Sequence, residues 1–254
     1  MFQLDSWTGY GSVFEGVRLE DRFRVAIKHI ACDKVNHTKV VQNGVEYNLI
    51  EEVALMVKVA HCPAVVPLLD CYEFPEEVVI VMERPYPALD LLEYKKARGG
   101  VLKEKDAKRI LRQLVEASIQ MHKSGVFHRN LNLKNVLVEI GDRSHKAMII
   151  DFGCGCLATE GTYTAYAGTL RYVPPEMYSS KVYRAEPTTV YHLGAILHDL
   201  LYHKPFDTSC YLKRKSQFSI GRSKECQDFL NSCLAKDPST RPSFEELQRH
   251  PWFL

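Results

Sequence analysis

The distribution of strand-like and helix-like patterns changes near residue 85, and this change constrains the fold more than any other feature of the sequence. Upstream of it, residues 13–17, 24–30 and 78–82 are rich in β-branched residues and alternate or run apolar, which predicts strands. Between them, residues 47–60 have helical spacing and predict one main helix. Four residues form the apolar side of this helix: Leu49, Val53, Met56 (or Val57) and Ala60.

Helical patterns dominate the rest of the chain. The first of them ends at Gly125, and the later ones begin with Ser or Thr, which are favoured helix caps. We therefore expect one α+β domain over residues 1–254, with a small antiparallel-sheet lobe (1–84) that contains one main helix and a large helical lobe (85–254). The predicted elements of the large lobe are helices over 106–124, 188–203, 223–235 and 243–250 and two strands over 136–140 and 147–150, which are joined by a turn at Gly141-Asp142.

The composition argues against several classes of protein. The formal net charge of +2 is too small to predict a nucleic-acid partner. No apolar run approaches the roughly 20 residues that cross a bilayer, and the N-terminal residues lack the basic and apolar regions of a secretory signal. The eight cysteines contain no Cys-x-x-Cys pair, so reduced thiols are expected. We expect a cytoplasmic protein, with a nuclear location left open, that binds neither nucleic acid nor a membrane.

Two short motifs place charged side chains where phosphate chemistry uses them. Val25-Ala26-Ile27-Lys28 places a lysine on the predicted strand 24–30, and such a lysine reaches the phosphates of ATP when a helix carboxylate holds it. Glu52 is the predicted carboxylate, with Glu51 as the neighbour to exclude; the alternative for Lys28 is a surface lysine. Asp151-Phe152-Gly153 follows another apolar strand, where a carboxylate suits a Mg²⁺ ion facing phosphates; the alternative is a turn cap.

A third motif, His128-Arg129-Asn130-Leu131-Asn132-Leu133-Lys134-Asn135, lies between the long helix and a strand, where a protein kinase has its catalytic loop. Asn130 occupies the position of the catalytic base, and Asn135 occupies that of the second metal ligand. Glu176 follows Asp151 by 25 residues and is expected to form a structural ion pair with Arg241. The order and spacing of these motifs predict a protein-kinase fold with ATP and Mg²⁺ as cofactors.

Four stretches of the sequence are distinctive: 82–87 (Met-Glu-Arg-Pro-Tyr-Pro), 161–164, 174–176 and 244–252. They resemble the Pim family of serine/threonine kinases, and the resemblance extends over nearly the whole chain. The resemblance implies that Met82 is the gatekeeper and that the backbone carbonyl of Glu83 binds adenine, while Pro85 has no N–H to offer there. Thr169 matches the residue that marks serine/threonine rather than tyrosine kinases.

The loop that covers the ATP phosphates is only partly present. Ser6, Thr8 and Gly11 fall on its three glycine positions, so only the third glycine remains. A side chain at such a position keeps the backbone further from the phosphates. The other nucleotide contacts that the resemblance implies are Val13, Ala26 and Leu137 around adenine and Asp90 at the ribose edge.

The catalytic loop departs from the family at two positions. Asn130 replaces the aspartate that takes the substrate proton, and an amide accepts a hydrogen bond but no proton. A general base contributes about 10²–10⁴-fold, which from a kinase turnover of ~1–100 s⁻¹ predicts ~10⁻⁴ to ~1 s⁻¹. Asn132 replaces a lysine that neutralises the γ-phosphate, and Lys134, which precedes a strand, is expected to point elsewhere.

Further departures concern the activation segment and the choice of substrate. Ala165 and Ala167 replace acidic residues, so Arg129 is expected to lack a carboxylate partner. Of the acidic residues that select basic substrates, Asp90 and Glu93 remain, but Lys134 replaces an expected glutamate. Phosphorylation would supply a negative charge for Arg129 at one of four residues: Thr162, Tyr163, Thr164 or Tyr166.

Three functional hypotheses follow from these residues. The first is a Pim-like serine/threonine kinase domain, a monomer that binds ATP-Mg²⁺ and transfers phosphate weakly to a protein substrate. The second is a pseudokinase, a nucleotide-binding scaffold or allosteric partner of a regulated protein. The third is a decaying copy that still folds but has no maintained activity.

Overall fold

The computed structural model describes residues 2–7, 13–42, 44–141, 145–213 and 221–254. Its first part is a five-stranded antiparallel sheet with the strand order β1-β2-β3-β7-β6. Two further strands, β4 and β5, form a separate antiparallel hairpin that precedes the helix α1. The elements are β1 Phe2–Trp7, β2 Val13–Arg18, β3 Arg24–Ala31, β4 His37–Gln42, β5 Val45–Ile50, α1 Glu51–Lys58, β6 Leu68–Glu73 and β7 Glu77–Glu83.

Alternation along β7 explains why the sheet forms here. Val78 and Ile80 are buried in the main hydrophobic core, while Val81 packs with Val25 and Ile27 on the other face of the sheet. Successive strand residues point to opposite faces, so a run of apolar residues buries both faces at once. The predicted strands 13–17, 24–30 and 78–82 all lie within observed strands.

The predicted helix over 47–60 is wrong in its first part. Residues 45–50 form β5, which pairs with β4, and the helix begins only at Glu51. Hairpin pairing satisfies the backbone of residues 45–50 locally, and Val, Tyr and Ile favour a strand. Of the two alternatives for the apolar side, Met56 is buried and Val57 is exposed; Ala60, also predicted there, is exposed.

The second part of the chain is mainly helical. The strands β8, β10 and β11 form a three-stranded antiparallel sheet, and β9 pairs with β12. Its elements are β8 Ala88–Asp90, α2 Leu91–Ala97, α3 Glu104–Lys123, β9 Val126–Phe127, β10 Val136–Ile140, β11 His145–Ile149, β12 Cys156–Leu157, α4 Pro175–Ser179, α5 Ala185–Leu201, α6 Thr208–Leu212, α7 Lys224–Cys233 and α8 Phe244–Gln248.

Of the three helices predicted to begin with Ser or Thr, two follow the prediction and one does not, and α3 begins at Glu104, two residues before the predicted start. Ser223 caps α7, and Ser243 with Glu246 forms a capping box at α8. In contrast, α5 begins at Ala185, and Thr188, the predicted first residue, is fully buried inside it. Pro187 is compatible with this earlier start, because a helix tolerates proline in its first turn, where the N–H groups have no helical partner. The predicted turn partner Asp142 lies outside the described residues.

A single large hydrophobic core joins the two parts of the chain. It contains Leu55 of α1, Ile80 of β7, Leu114 of α3 and eight of the 17 residues of α5. All eight cysteines are free thiols. Within the described ranges, none of the helices has the length and apolarity that crossing a bilayer requires.

Burial of His192 in α5 predicts a loss of stability in acid. Its side chain is 1% exposed, and burial lowers its pKa to about 3. An unfolded histidine titrates near pH ~6.5, so this contribution is complete above that pH and declines between about pH 6.5 and 3, at ~1.4 kcal/mol per pH unit. We expect His192→Gln to flatten the pH dependence of urea unfolding, measured between pH 7 and 4. The exposed His203→Gln serves as the control, and equal slopes in native protein and His192→Gln would contradict the prediction.

Candidate active site

The lysine of β3 joins two carboxylates that are distant in sequence. The Nζ atom of Lys28 lies 2.8 and 2.9 Å from the two carboxylate oxygens of Glu52 and 2.8 Å from Oδ1 of Asp151. Glu52 is buried on α1, whereas Glu51 borders a cavity beside it and makes no hydrogen bond or ion pair with Lys28. Burial by itself would lower the pKa of Lys28, but the two carboxylates outweigh it and raise the pKa. The lysine is therefore a fixed cation between β3, α1 and Asp151.

Asp151 is held in an unusual backbone conformation beside this lysine. Its φ angle is +65°, a region that non-glycine residues rarely adopt, and its side chain is 41% exposed. Burial opposes ionisation of the carboxyl, but Lys28 dominates and lowers its pKa. A Cβ atom at Gly153 would lie 3.3 Å from Asp151 Oδ1, Glu52 Oε2 and Lys28 Nζ, so the absence of a side chain there leaves room for the three groups.

His128 connects the predicted catalytic loop to the Asp151-Phe152-Gly153 motif. Its Nδ1 atom accepts a hydrogen bond from the backbone N–H of Asn130 at 3.2 Å, and its Nε2–H donates to the carbonyl of Ile150 at 3.0 Å. The imidazole centroid lies 4.9 Å from the ring of Phe152, and burial lowers the pKa of this histidine. A neutral His128 thus fixes the separation of the loop and the motif.

The side-chain oxygen of Asn130 is occupied by three donors. It accepts hydrogen bonds from the backbone N–H of Thr169 at 3.0 Å, from the Thr169 hydroxyl at 2.8 Å and from Nδ2 of Asn132 at 3.0 Å. Among the described residues, the Nδ2 group of Asn130 makes no hydrogen bond. Gly168, with a φ of +129°, permits this approach, because a Cβ atom there would lie 2.6 Å from the carbonyl oxygen of Arg129. An amide held in this way presents a donor, not a base, to the cleft.

The other two asparagines of the loop are tied to Asn130. Nδ2 of Asn132 also lies 3.0 Å from the Asn130 carbonyl and 3.1 Å from the Thr169 hydroxyl, and its Oδ1 caps the N–H of Lys134 at 2.8 Å. Nδ2 of Asn135 donates to the same carbonyl at 2.9 Å, so its Oδ1 is the atom left for a cation. Asn132 thus stabilises the loop through local hydrogen bonds and, unlike a lysine, provides no long cationic side chain. Lys134, expected to point elsewhere, borders the same cavity as Asn130.

The strand pairing brings the predicted nucleotide contacts into two groups. On the sheet, Ala26 lies opposite Met82, and Val13 lies opposite Lys28, so these residues share the centre of β2, β3 and β7. Below them, Leu137 of β10 lies opposite Asp90 of β8. Side chains opposite each other on paired strands lie close together, so each pairing brings its two residues side by side.

Three of the predicted nucleotide residues have further features. The N–H of Glu83 donates to the carbonyl of Pro67 at 2.9 Å, and the buried Asp90 caps α2 by accepting from the N–H of Glu93 at 2.7 Å. Gly11 and Thr8 lie outside the described residues, and Ser6 is described only as part of the backbone of β1. The roles of all these residues in nucleotide binding stay predictions.

Arg129 is held by an uncharged partner that the sequence did not reveal. Its guanidinium donates to the hydroxyl of Tyr183 from Nε at 3.1 Å and from Nη2 at 2.7 Å, and Nη2 also donates to the carbonyl of Ala165. Tyr183 donates to the same carbonyl at 2.9 Å. Within the described residues, no carboxylate lies within ion-pair distance of Arg129. No local motif marks Tyr183, which lies 54 residues away.

The four predicted modification sites near Arg129 differ in access. The hydroxyl of Tyr163 donates to the carbonyl of Leu157 at 3.1 Å, and that of Tyr166 donates to the carbonyl of Thr169 at 3.2 Å. In contrast, Thr162 and Thr164 are exposed. The two threonines are therefore the better candidates for a phosphate.

Glu176 and Arg241 form a buried pair away from the cleft. Two parallel hydrogen bonds join them, at 2.9 and 2.5 Å, and the Arg241 side chain is 0% exposed. Arg241 also donates to the carbonyls of Pro187 and Ala235. The pair fastens the end of the activation segment to the helical part of the chain.

Comparisons with known proteins agree with this geometry. The "Protein kinase domain" family matches residues 8–253. The serine/threonine-protein kinase pim-2 of Danio rerio is 34% identical over 256 residues, which cover 97% of this chain and 81% of the relative. The serine/threonine-protein kinase prk-2 of Caenorhabditis elegans is 31% identical over 250 residues, which cover 96% of this chain but 55% of the relative. This chain belongs to the protein kinase family and, within it, to the Pim-like serine/threonine kinases.

Proposed function

We propose that this domain binds ATP together with Mg²⁺ and transfers phosphate from ATP to serine or threonine residues of proteins only weakly. The observation that carries the proposal is the position of Lys28 Nζ, 2.8 Å from both Glu52 and Asp151. Phosphoryl transfer depends mainly on fixed positive charge around the phosphates. A lysine already held by its helix carboxylate supports nucleotide binding without a rearrangement of α1.

The residues present suit magnesium that arrives with the nucleotide. Asp151 offers a partly exposed carboxylate, and Asn135 is oriented so that its amide oxygen is the free end. Mg²⁺ prefers oxygen ligands and commonly takes one or two from the protein and others from phosphates and water. Over the described residues, no cluster of three His, Cys, Asp or Glu side chains forms a resident metal site. When bound, the ion would neutralise charge on the phosphates.

Asn130 is the reason for expecting weak transfer. An Asp at this position would accept the proton of the attacking hydroxyl, whereas the Asn130 oxygen already accepts three hydrogen bonds and its Nδ2 group cannot take a proton. The substrate proton must then leave to water or to the phosphate. Lys28, Asp151 and Asn135 still act on the phosphates, so slow transfer rather than none is expected.

The alternative function is that of a pseudokinase, which binds nucleotide and acts as a scaffold or allosteric partner. The hydrogen bonds among Asn130, Asn132 and Thr169 favour it, because they occupy the Asn130 oxygen and because Asn132 brings no cation. Rate measurements on variants at Asn130 distinguish the two functions.

The proposal also covers the lobe boundary of the domain, its oligomeric state and its compartment. We propose a lobe boundary between residues 84 and 85, next to the end of β7 at Glu83, and a monomeric domain that acts on or regulates protein partners. Eight free thiols support a reducing compartment, such as the cytoplasm or the nucleus.

Nucleotide binding is tested by thermal unfolding in the presence of ATP and MgCl₂. At a ligand concentration 100 times Kd the stabilisation is ~2.7 kcal/mol, which raises Tm by several degrees in a domain of this size. We expect Asp151→Asn to remove most of the Mg²⁺-dependent part of this shift. The exposed Lys236→Met is the control and should retain the shift. No shift of the native protein at millimolar ATP would refute both proposed functions.

A further inference from the structure

A cavity of about 540 Å³ lies beside Asn130, where a protein segment approaching the catalytic loop would bind. It is bordered by α2, the catalytic loop, the segment after Thr169 and α5. Its polar lining consists of Lys95, Asn130, Asn132, Lys134, Asn135, Thr169, Arg171 and Asp199.

The charge of this cavity is predominantly positive. Lys95, Lys134 and Arg171 border it, and the last two are exposed. Among the described residues that line it, Asp199 is the only carboxylate, and its side chain is 2% exposed. Asp199 accepts hydrogen bonds from the Tyr172 hydroxyl, at 2.6 Å, and from the backbone N–H of Phe206, and it forms an ion pair with Arg171 at 3.7 Å. One largely buried carboxylate thus faces three cations, so the cavity keeps a net positive charge.

Lys95 is an unusual member of this lining. It is 7% exposed, and its Nζ atom donates to the carbonyl of Tyr202 at 2.9 Å. Among the described residues, no carboxylate lies within ion-pair distance of it. Burial lowers the pKa of Lys95. A buried ammonium normally has an anionic partner, because removing a charge from water is unfavourable. An anion in the cavity would provide that partner.

We propose that this cavity binds an anionic side chain of a protein segment, either a carboxylate of Glu or Asp or the phosphate of a phosphorylated residue. Phosphate and carboxylate share the chemistry that Lys and Arg recognise. Glu93, on the same helix as Lys95, is exposed and does not border the cavity. The segment beside Asn130 is thus selected for negative charge, which is the opposite of a preference for basic peptides. This inference deepens the proposed function, because it names the class of protein segment that the cleft takes.

Peptide binding in the absence of nucleotide tests the proposal. Fluorescence anisotropy is measured with four labelled peptides that differ at three central positions: glutamate, phosphoserine, serine and arginine. We expect the glutamate or phosphoserine peptide to bind at least about tenfold more tightly than the serine peptide, with the arginine peptide weakest. The two anionic peptides distinguish carboxylate from phosphate recognition. Since no ATP is present, the outcome does not depend on nucleotide binding, which the thermal titration measures separately.

Charge-reversed variants locate the binding. Lys134→Glu and Arg171→Glu change exposed side chains, and each is expected to weaken binding of the preferred anionic peptide roughly tenfold, because the variant places a like charge beside the ligand. Lys236→Glu makes the same change on an exposed residue outside the cavity and should have little effect. Unchanged melting curves establish that the variants fold. Equal binding of all four peptides, a preference for arginine, or equal losses in all three variants would overturn the proposal.

Discussion

Replacing Asn130 with aspartate is expected to raise the rate of phosphate transfer by about 10²–10⁴-fold, the usual contribution of a general base. The surroundings already suit a carboxylate at this position. Thr169 and Asn132 direct three donors at Oδ1, so one carboxylate oxygen would take their hydrogen bonds. The second oxygen would replace the Nδ2 group and accept the substrate proton. Transfer of radiolabelled phosphate from ATP is measured on casein, on histone and on the domain itself.

Two controls accompany this measurement. Adding Asp151→Asn to the Asn130→Asp variant should return the rate to background, which excludes a contaminating kinase. Equal activities of the native protein and Asn130→Asp would contradict a limiting role for the missing base. No activity in Asn130→Asp would show that Asn132 or the phosphate loop limits transfer, and Asn130→Asp with Asn132→Lys would then be compared with it.

Loss of the carboxylate at Glu176 is expected to have the largest effect on stability. Glu176→Gln keeps the size of the side chain but leaves Arg241 as a buried cation, held only by carbonyl groups and an amide. Breaking a buried ion pair in this way costs roughly 3–5 kcal/mol, a large part of the ~5–15 kcal/mol that stabilises a typical domain. The free energy of unfolding is measured by urea denaturation at pH 7.

A double-mutant cycle identifies the cause of this loss. The exposed Glu20→Gln is the matched control and should change the free energy of unfolding by less than about 0.5 kcal/mol. Arg241→Met together with Glu176→Met removes both charges. This double variant should be less destabilised than Arg241→Met alone or Glu176→Met alone, because no unpaired charge remains. A loss below about 1 kcal/mol in Glu176→Gln would show that the pair contributes little to the fold.

Local sequence patterns correctly predicted those helices and strands whose hydrophobic period and end signals indicate the same element. The strand over 136–140 coincides with β10, and the long helix predicted over 106–124 is α3 with its end at Lys123. The prediction failed where one pattern fits two structures. Residues 47–50 fit the helical spacing of the residues after them, yet they pair with β4, and only the position of β4 in the fold decides between the two.

The contacts of the candidate site also divide into those that the sequence predicted and those that it did not. Motif spacing predicted that Glu52 pairs with Lys28 and that Asp151 faces the same phosphates as a metal ligand. The structure places Lys28 within hydrogen-bond distance of Glu52, and it adds a contact between Lys28 and Asp151. Tyr183, as the partner of Arg129, carries no such signal, since it lies in an ordinary segment. A contact between distant segments depends on how those segments pack, which no local pattern records.

The amino-acid sequence by itself determined that the chain folds as a protein kinase and that its catalytic loop contains Asn130 in place of a base, since both depend on residue identity and spacing. Only the tertiary structure decided what Asn130 does with its two polar atoms: three donors from Thr169 and Asn132 occupy its oxygen, and its amide nitrogen is left to the cleft. Only the tertiary structure also decided that a cationic cavity exists, because folding brings Lys95 and Arg171 together from distant segments. The physical reason is that hydrogen bonding and charge depend on distances of a few ångströms, which packing sets.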